Sequence, residues 1–167
     1  HPDSSSRTIF YTEQDEMGRS YRVRSHTIGG ATDCSSDPIL FEETDPSFYV
    51  DVNRSKNEQV MVINSHSKSS SEVRILPLHG KDPQLRLIKA RESNVEYFVE
   101  HMADGQLLIL TNADTGGDFR LVTVDTAGPL GREYWKPFLA ERPGISIVDV
   151  DVFKGHYLVY ELENGVP

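Results

Sequence analysis

The chain has one cysteine among its 167 residues. That excludes an internal disulfide and any zinc site built from several cysteines. Cys34, in the loop-like stretch "ATDCSSDP", is expected to be a free thiol without a role. Long apolar runs are also lacking. A membrane helix needs about 20 consecutive apolar residues, and no run here comes near that length. The opening "HPDSSS" lacks the apolar core of a signal peptide. Positive charge is scarce: 17 Lys and Arg stand against 26 Asp and Glu, for a formal net charge of −9. Such a surface repels phosphate backbones, so neither nucleic acid nor membrane is expected as a partner. A single sequon, Asn53-Arg54-Ser55, carries no weight alone. The reading that fits these absences is a cytoplasmic protein in a reducing compartment.

What is present is a repeat. "QVMVINSHS", "QLLILTNAD" and "HYLVYELEN" begin at Gln59, Gln106 and His156, at intervals of 47 and 50 residues. The following run recurs as "SYRVRSH", "SEVRILP" and "DFRLVTV", and a further one as "PILFEE", "LRLIKA" and "WKPFLA". These runs read as strands. "FYVDVN" sets Phe48, Val50 and Val52 opposite Tyr49, Asp51 and Asn53, and "SIVDVDVF" sets Val148, Val150 and Val152 opposite Asp149 and Asp151. The breaks between runs, such as "NRSKNE", "SHSKSSS" and "ADTGGD", are rich in turn formers. "RESNVEYFVEHMADG" would pass locally for a helix, but its place in the repeat makes it a strand.

Four strands per unit of about 40 to 50 residues is the signature of β-propeller blades. The expected fold is all-β: a partial β-propeller with two complete four-stranded blades flanked by two incomplete ones. Residues 1–167 form one propeller fragment, with blade boundaries near residues 46, 94 and 144. The chain is expected to be cut from a longer protein, because a propeller has about four to eight blades.

The order of elements is specific. "ILFEETDPSFYVDVNRSKNEQVMVINSHSKSSSEVRIL", "VEYFVEHMADGQLLILTNADTGGDFRLV" and "REYWKPFLAERPGISIVDVDVFKGHYLVYELENG" resemble the N-terminal propeller of the prolyl oligopeptidase family, in particular its oligopeptidase B branch. The branch carries an "RPY.VWRH.LG"-like segment where this chain has "GRSYRVRSHTIGG", with Ser20, Arg24 and Ser25 in place of proline, tryptophan and arginine. The resemblance implies a serine oligopeptidase. An α/β-hydrolase domain, absent from this chain, would supply a Ser-Asp-His triad, and the propeller would cover its mouth and admit only short peptides. Oligopeptidase B relatives cleave after Lys or Arg, and prolyl oligopeptidases after Pro.

No catalytic apparatus is expected in the chain itself. The nearest approach to the G-x-S-x-G nucleophile turn, Gly144-Ile145-Ser146-Ile147-Val148, lacks its second glycine and reads as continuous strand. His26, His66 and His79 fall near loops and read as solvated; His101 ends a strand and His156 begins one. Asp114 and Asp118 in "NADTGGD" do not follow a calcium-loop spacing and read as turn residues. No metal or cofactor is expected. The isolated chain should be inactive, and its open blade edges invite self-association. Two other functions stay open: a non-enzymatic interaction scaffold, since the fold hosts many functions, and a carbohydrate-active propeller, for which Trp135 is the only tryptophan available for stacking.

One set of residues has a chemical reading. The first strand of each propeller blade runs beside the central channel. Here those strands carry Asp51, then Glu96 and Glu100, then Asp149 and Asp151. Asp51, Glu100, Asp149 and Asp151 are the candidate residues for steering a cationic peptide substrate, because clustered like charges in a narrow passage focus the field.

Overall fold

The computed structural model describes residues 8–29, 33–80, 83–140 and 142–167. The described residues form thirteen strands and two short 3₁₀ turns, Cys34–Ser36 and Arg132–Tyr134. The first sheet holds β1 (Thr8–Gln14), β2 (Ser20–Thr27) and β3 (Ile39–Glu42). The second holds β4 (Tyr49–Arg54), β5 (Val60–His66), β6 (Ser71–Pro77) and β7 (Arg86–Lys89). The third holds β8 (Tyr97–His101), β9 (Gln106–Thr111), β10 (Arg120–Asp125) and β11 (Lys136–Pro137). The fourth is a pair, β12 (Ile145–Val152) and β13 (Tyr157–Glu163). Every pairing is antiparallel between strands adjacent in sequence. The expected all-β fold is observed, and the helix-like "RESNVEYFVEHMADG" contains strand β8.

The sheets pack face to face through three apolar clusters. Val23 of the first sheet meets Val50, Met61 and Ile63 of the second. Val73, Ile75 and Ile88 of the second meet Tyr97, Leu107, Ile109, Val122 and Val124 of the third. Leu108, Leu110 and Leu121 of the third meet Val150 and Val152 of the fourth. This explains the run "QLLIL". Successive strand side chains point to opposite faces: Leu107 and Ile109 face the second sheet while Leu108 and Leu110 face the fourth. A sheet covered on both faces needs apolar residues at every position. On β4, by contrast, Val50 is buried while Tyr49 and Asp51 are exposed, which is the alternating pattern of the sequence.

Polar side chains tie the second sheet to its neighbours. Ser71 Oγ accepts from the Tyr97 amide at 2.7 Å and donates to the Tyr97 carbonyl at 3.0 Å. The Tyr97 hydroxyl accepts from the Val73 and Lys89 amides at 2.8 and 3.2 Å and donates to the Lys89 carbonyl at 2.5 Å. Arg91 pairs with Glu43 and with Glu72, two buried carboxylates, and lies over the Phe48 ring at 3.8 Å.

Three expectations are corrected. The strict alternation of "SIVDVDVF" fails at Val148. The register slips between Ile147 and Asp149, a β-bulge, and Val148 is 51% exposed rather than aligned with buried Val150 and Val152. His26 is not a solvated loop residue: it lies on β2, partly buried, 3.0 Å from Asp37 Oδ1. The run "WKPFLA" yields only the two-residue strand Lys136–Pro137, followed by a single bond from the Phe138 amide to the Leu121 carbonyl at 2.9 Å.

Candidate functional site

The first hairpin turns of the second, third and fourth sheets meet around one cleft. Each turn is built by its sequence. In "NRSKNE", the Ser55 amide donates to the Val60 carbonyl at 2.9 Å and the Ser55 hydroxyl to Asn57 Oδ1 at 2.8 Å, while Glu58 takes the left-handed backbone conformation at φ 60°. In "MADGQ", Gly105 takes φ 84°, a conformation glycine adopts at no steric cost. Lys56, Asn57, His101, Val152, Phe153 and Lys154 line a cleft of about 470 Å³ where the three turns converge.

Beside this cleft the structure gathers three of the four expected carboxylates. Glu100 lies on β8, Asp149 and Asp151 on β12 of the neighbouring sheet. Lys56 reaches across from the second sheet to pair with Asp151 and lies 4.8 Å from the centre of the Phe153 ring. The Tyr160 hydroxyl donates to Asp151 Oδ2 at 3.0 Å. The Asp149 carboxylate accepts from the Val150 amide at 2.8 Å.

The charges respond to one another. Burial pushes the Glu100 carboxyl up; the nearby Lys56 charge opposes this, and the Asp151 and Asp149 charges add to it. Asp151 is held low by its hydrogen bond from Lys56 and then by the one from Tyr160. The Lys56 ammonium is raised by Asp151, with the Glu100 charge contributing. Lys56 pairs with Asp151 and offsets the charge of Glu100, and Asp149 adds a third carboxylate near Glu100; such a group favours a cationic ligand. Asp51 stands outside this group. It pairs with His66 Nε2 at 2.9 Å within the second sheet. Glu96, also on the approach to β8, uses its backbone to bind Asn112 and Thr111.

Lys56, Tyr160 and the Asn57–His101 pair were not singled out by sequence. Asn57 donates to His101 Nδ1 at 2.8 Å, and burial lowers the pKa of His101. Lys56 and Asp151 are 95 residues apart, and only the stacking of three sheets brings them together. Ser146 lies within β12, paired with Leu162, on extended strand rather than a strand-to-helix turn. Asp114 pairs with Arg132 and Arg120, and the Thr115 hydroxyl binds within the same turn, so "NADTGGD" is a self-satisfied loop.

Antiparallel sheets stacked face to face through both sides, joined by meandering hairpins, define the class as a β-propeller domain. The sequence matches, over residues 3–167, the family described as prolyl oligopeptidase, N-terminal beta-propeller domain, and the chain belongs to that family. It is similar to dipeptidyl aminopeptidase BI of Pseudoxanthomonas mexicana, 34% identical over 96% of this chain and 22% of that protein. It is similar to protease 2 of Moraxella lacunata, 36% identical over 62% of this chain and 15% of that protein. Among solved structures, oligopeptidase B from Trypanosoma brucei, in a closed form with covalently bound antipain, superposes with a TM-score of 0.82 at 29% identity, covering 95% of this chain and 22% of that one. The chain thus spans about a fifth of the length of such relatives.

Proposed function

We propose that the chain is the substrate-gating part of a serine oligopeptidase that hydrolyses short peptides after Lys or Arg. In this reading the chain is one propeller fragment, two complete blades flanked by two incomplete ones, with boundaries near residues 46, 94 and 144. An α/β-hydrolase domain elsewhere in the protein supplies the nucleophile and base. The fragment alone is inactive, the intact protein works in the cytoplasm, and its partner is the peptide substrate.

The observation that carries the choice of a basic substrate is the convergence of Glu100, Asp149 and Asp151 on β8 and β12 of two sheets, with Lys56 between Glu100 and Asp151. Facing the axial channel of the intact propeller, these carboxylates raise the local concentration of cationic peptides and speed their entry. Likeness to an oligopeptidase B at 29% identity supports the same reading. A non-enzymatic scaffold draws no support from relatives named as peptidases.

The test compares kcat/KM of the full-length protein for arginyl, lysyl and prolyl reporter peptides. Preference for the basic reporters by at least tenfold is expected. Preference for the prolyl reporter, or no serine-inhibitor-sensitive hydrolysis of any, would refute the reading.

A further inference from the structure

The first sheet carries a cluster that the peptidase reading does not use. His26 lies on β2. Cys34 opens the 3₁₀ turn Cys34–Ser36, and Asp37 closes it. One ligand atom from each, an imidazole nitrogen, the thiol sulfur and a carboxylate oxygen, lies within 4.8 Å of the other two.

The backbone places them deliberately. In a 3₁₀ turn, residues three apart eclipse one another, so Cys34 and Asp37 project from the same side. Asp33 caps the turn, accepting from the Ser35 amide at 2.9 Å, and the Asp37 amide donates to the Cys34 carbonyl at 3.2 Å. The turn is fastened to β2 beside His26: Arg24 Nη1 donates to the Asp37 carbonyl at 2.7 Å, and the Ser25 amide to the Pro38 carbonyl at 3.2 Å. His26 Nδ1 is 3.0 Å from Asp37 Oδ1 and 3.1 Å from Oδ2. Asp37 is nearly buried, with 9% of its side chain exposed. The Tyr11 hydroxyl donates to Asp37 Oδ2 at 2.8 Å and so fixes the carboxylate from outside, in the manner of the outer partners that orient metal ligands. Cys34 is exposed and its thiol is not in a disulfide.

We propose that His26, Cys34 and Asp37 bind one divalent ion of the zinc class, with solvent in a fourth position. A thiolate beside an imidazole and a carboxylate suits zinc or its surrogate cobalt; magnesium and calcium prefer all-oxygen sets. Tetrahedral zinc at its usual bond lengths sets its ligands about 3.5 Å apart, so the existing spacing closes by a rotation of the exposed Cys34 side chain. On binding, the Cys34 thiol releases its proton to solvent, the His26 proton that faces Asp37 from Nδ1 moves to Nε2 by exchange with solvent, and the sulfur, Nδ1 and an Asp37 oxygen bond the metal; no electrons are transferred. The single cysteine ruled out a cysteine cluster, but a mixed set needs only one. The bound ion would pin the loop between β2 and β3 to the sheet.

The test is a cobalt(II) titration, followed by zinc displacement, of the full-length protein and its Cys34→Ser and His26→Gln variants. Differences between proteins isolate this site from any other thiol. The wild type is expected to bind one equivalent more than Cys34→Ser, with a thiolate-to-cobalt charge-transfer band that the variant lacks and that zinc abolishes. His26→Gln should weaken that equivalent at least tenfold. Equal uptake by wild type and Cys34→Ser, or no band that depends on Cys34, would overturn the proposal. Cys34 is exposed, so its serine variant is read on a folded protein, checked by far-ultraviolet circular dichroism.

Discussion

The side-chain amide of Asn57, in the turn between β4 and β5, donates to Nδ1 of His101 at the end of β8, 2.8 Å away in the next sheet. The same amide donates to the carbonyls of His101 and Met102 at 3.2 and 3.3 Å, and its oxygen accepts from Ser55. One turn residue thus closes the end of the neighbouring strand. With Nδ1 accepting, His101 is held neutral, and burial lowers its pKa below the ordinary 6.5, against a weaker opposing effect of Asp104. The unfolded chain therefore takes up a proton before the folded one. Stability is full above the unfolded value and is lost as pH falls through it. Chemical denaturation between about pH 7 and pH 5 should show this loss, with a smaller slope in His101→Gln. Equal slopes would show that His101 does not carry it.

Tyr97 should behave as a rivet. Its hydroxyl serves two amides and a carbonyl at the junction of the second and third sheets. Tyr97→Phe keeps the ring against Trp135 but leaves those groups unpaired, at a cost of about 1–3 kcal/mol. Urea unfolding measures it; a loss below about 0.5 kcal/mol would mean that solvent replaces the hydroxyl.

Arg91 neutralises Glu43 and Glu72. Burial alone would raise both carboxyls, but the bonds from Arg91, Ser65 and the Asp45 amide outweigh this for Glu43, and those from the Arg91 amide and Arg74 for Glu72, so both are held low. Their contribution is present above the ordinary carboxylate value of 4.5 and fades as pH falls through the lowered folded values. Arg91→Met strands the buried Glu43, while Glu72 keeps Arg74, and should cost about 3 kcal/mol at neutral pH, the low end for a broken buried pair because Arg91 keeps some solvent contact. Adding Glu43→Leu should restore part of that loss, and thermal or urea unfolding of the single and double variants reads it. A double variant less stable than Arg91→Met would contradict this pairing.

The outer face of β13 presents Leu158 and Tyr160 to solvent, opposite Asp151 and Asp149 of β12 in the register. The isolated chain should associate through this face at high concentration, and Leu158→Lys should restore the monomer. Sedimentation velocity distinguishes the two; a concentration-independent monomer in the wild type would exclude such association.

Much of this fold is written locally. The period and the turn clusters mark the strands, and the contrast between alternating "FYVDVN" and continuous "QLLIL" records whether a strand is covered on one face or two. Glu100, Asp149 and Asp151 stand out in the sequence as charges on otherwise apolar strands, and their closeness comes from the packing of two sheets. What was not legible depends on contacts between distant segments. Lys56 reads as an ordinary turn lysine until the fourth sheet sets Asp151 beside it. His26 reads as a loop residue until the 3₁₀ turn folds Cys34 and Asp37 back onto β2. The bulge at Val148 leaves no mark in a sequence whose alternation looks unbroken.

The central claim is that the carboxylates around Lys56 draw basic peptides toward the active centre. Its most direct measurement is kcat/KM of the full-length protein for an arginyl peptide as a function of ionic strength, with Glu100→Gln and Asp149→Asn combined. Steering predicts a drop of about tenfold at low salt, shrinking as salt screens the charges, with a neutral peptide unaffected. Lys56→Gln, which unmasks Asp151, should move the rate the other way. An unchanged kcat/KM and an unchanged salt dependence in the double variant would contradict the account.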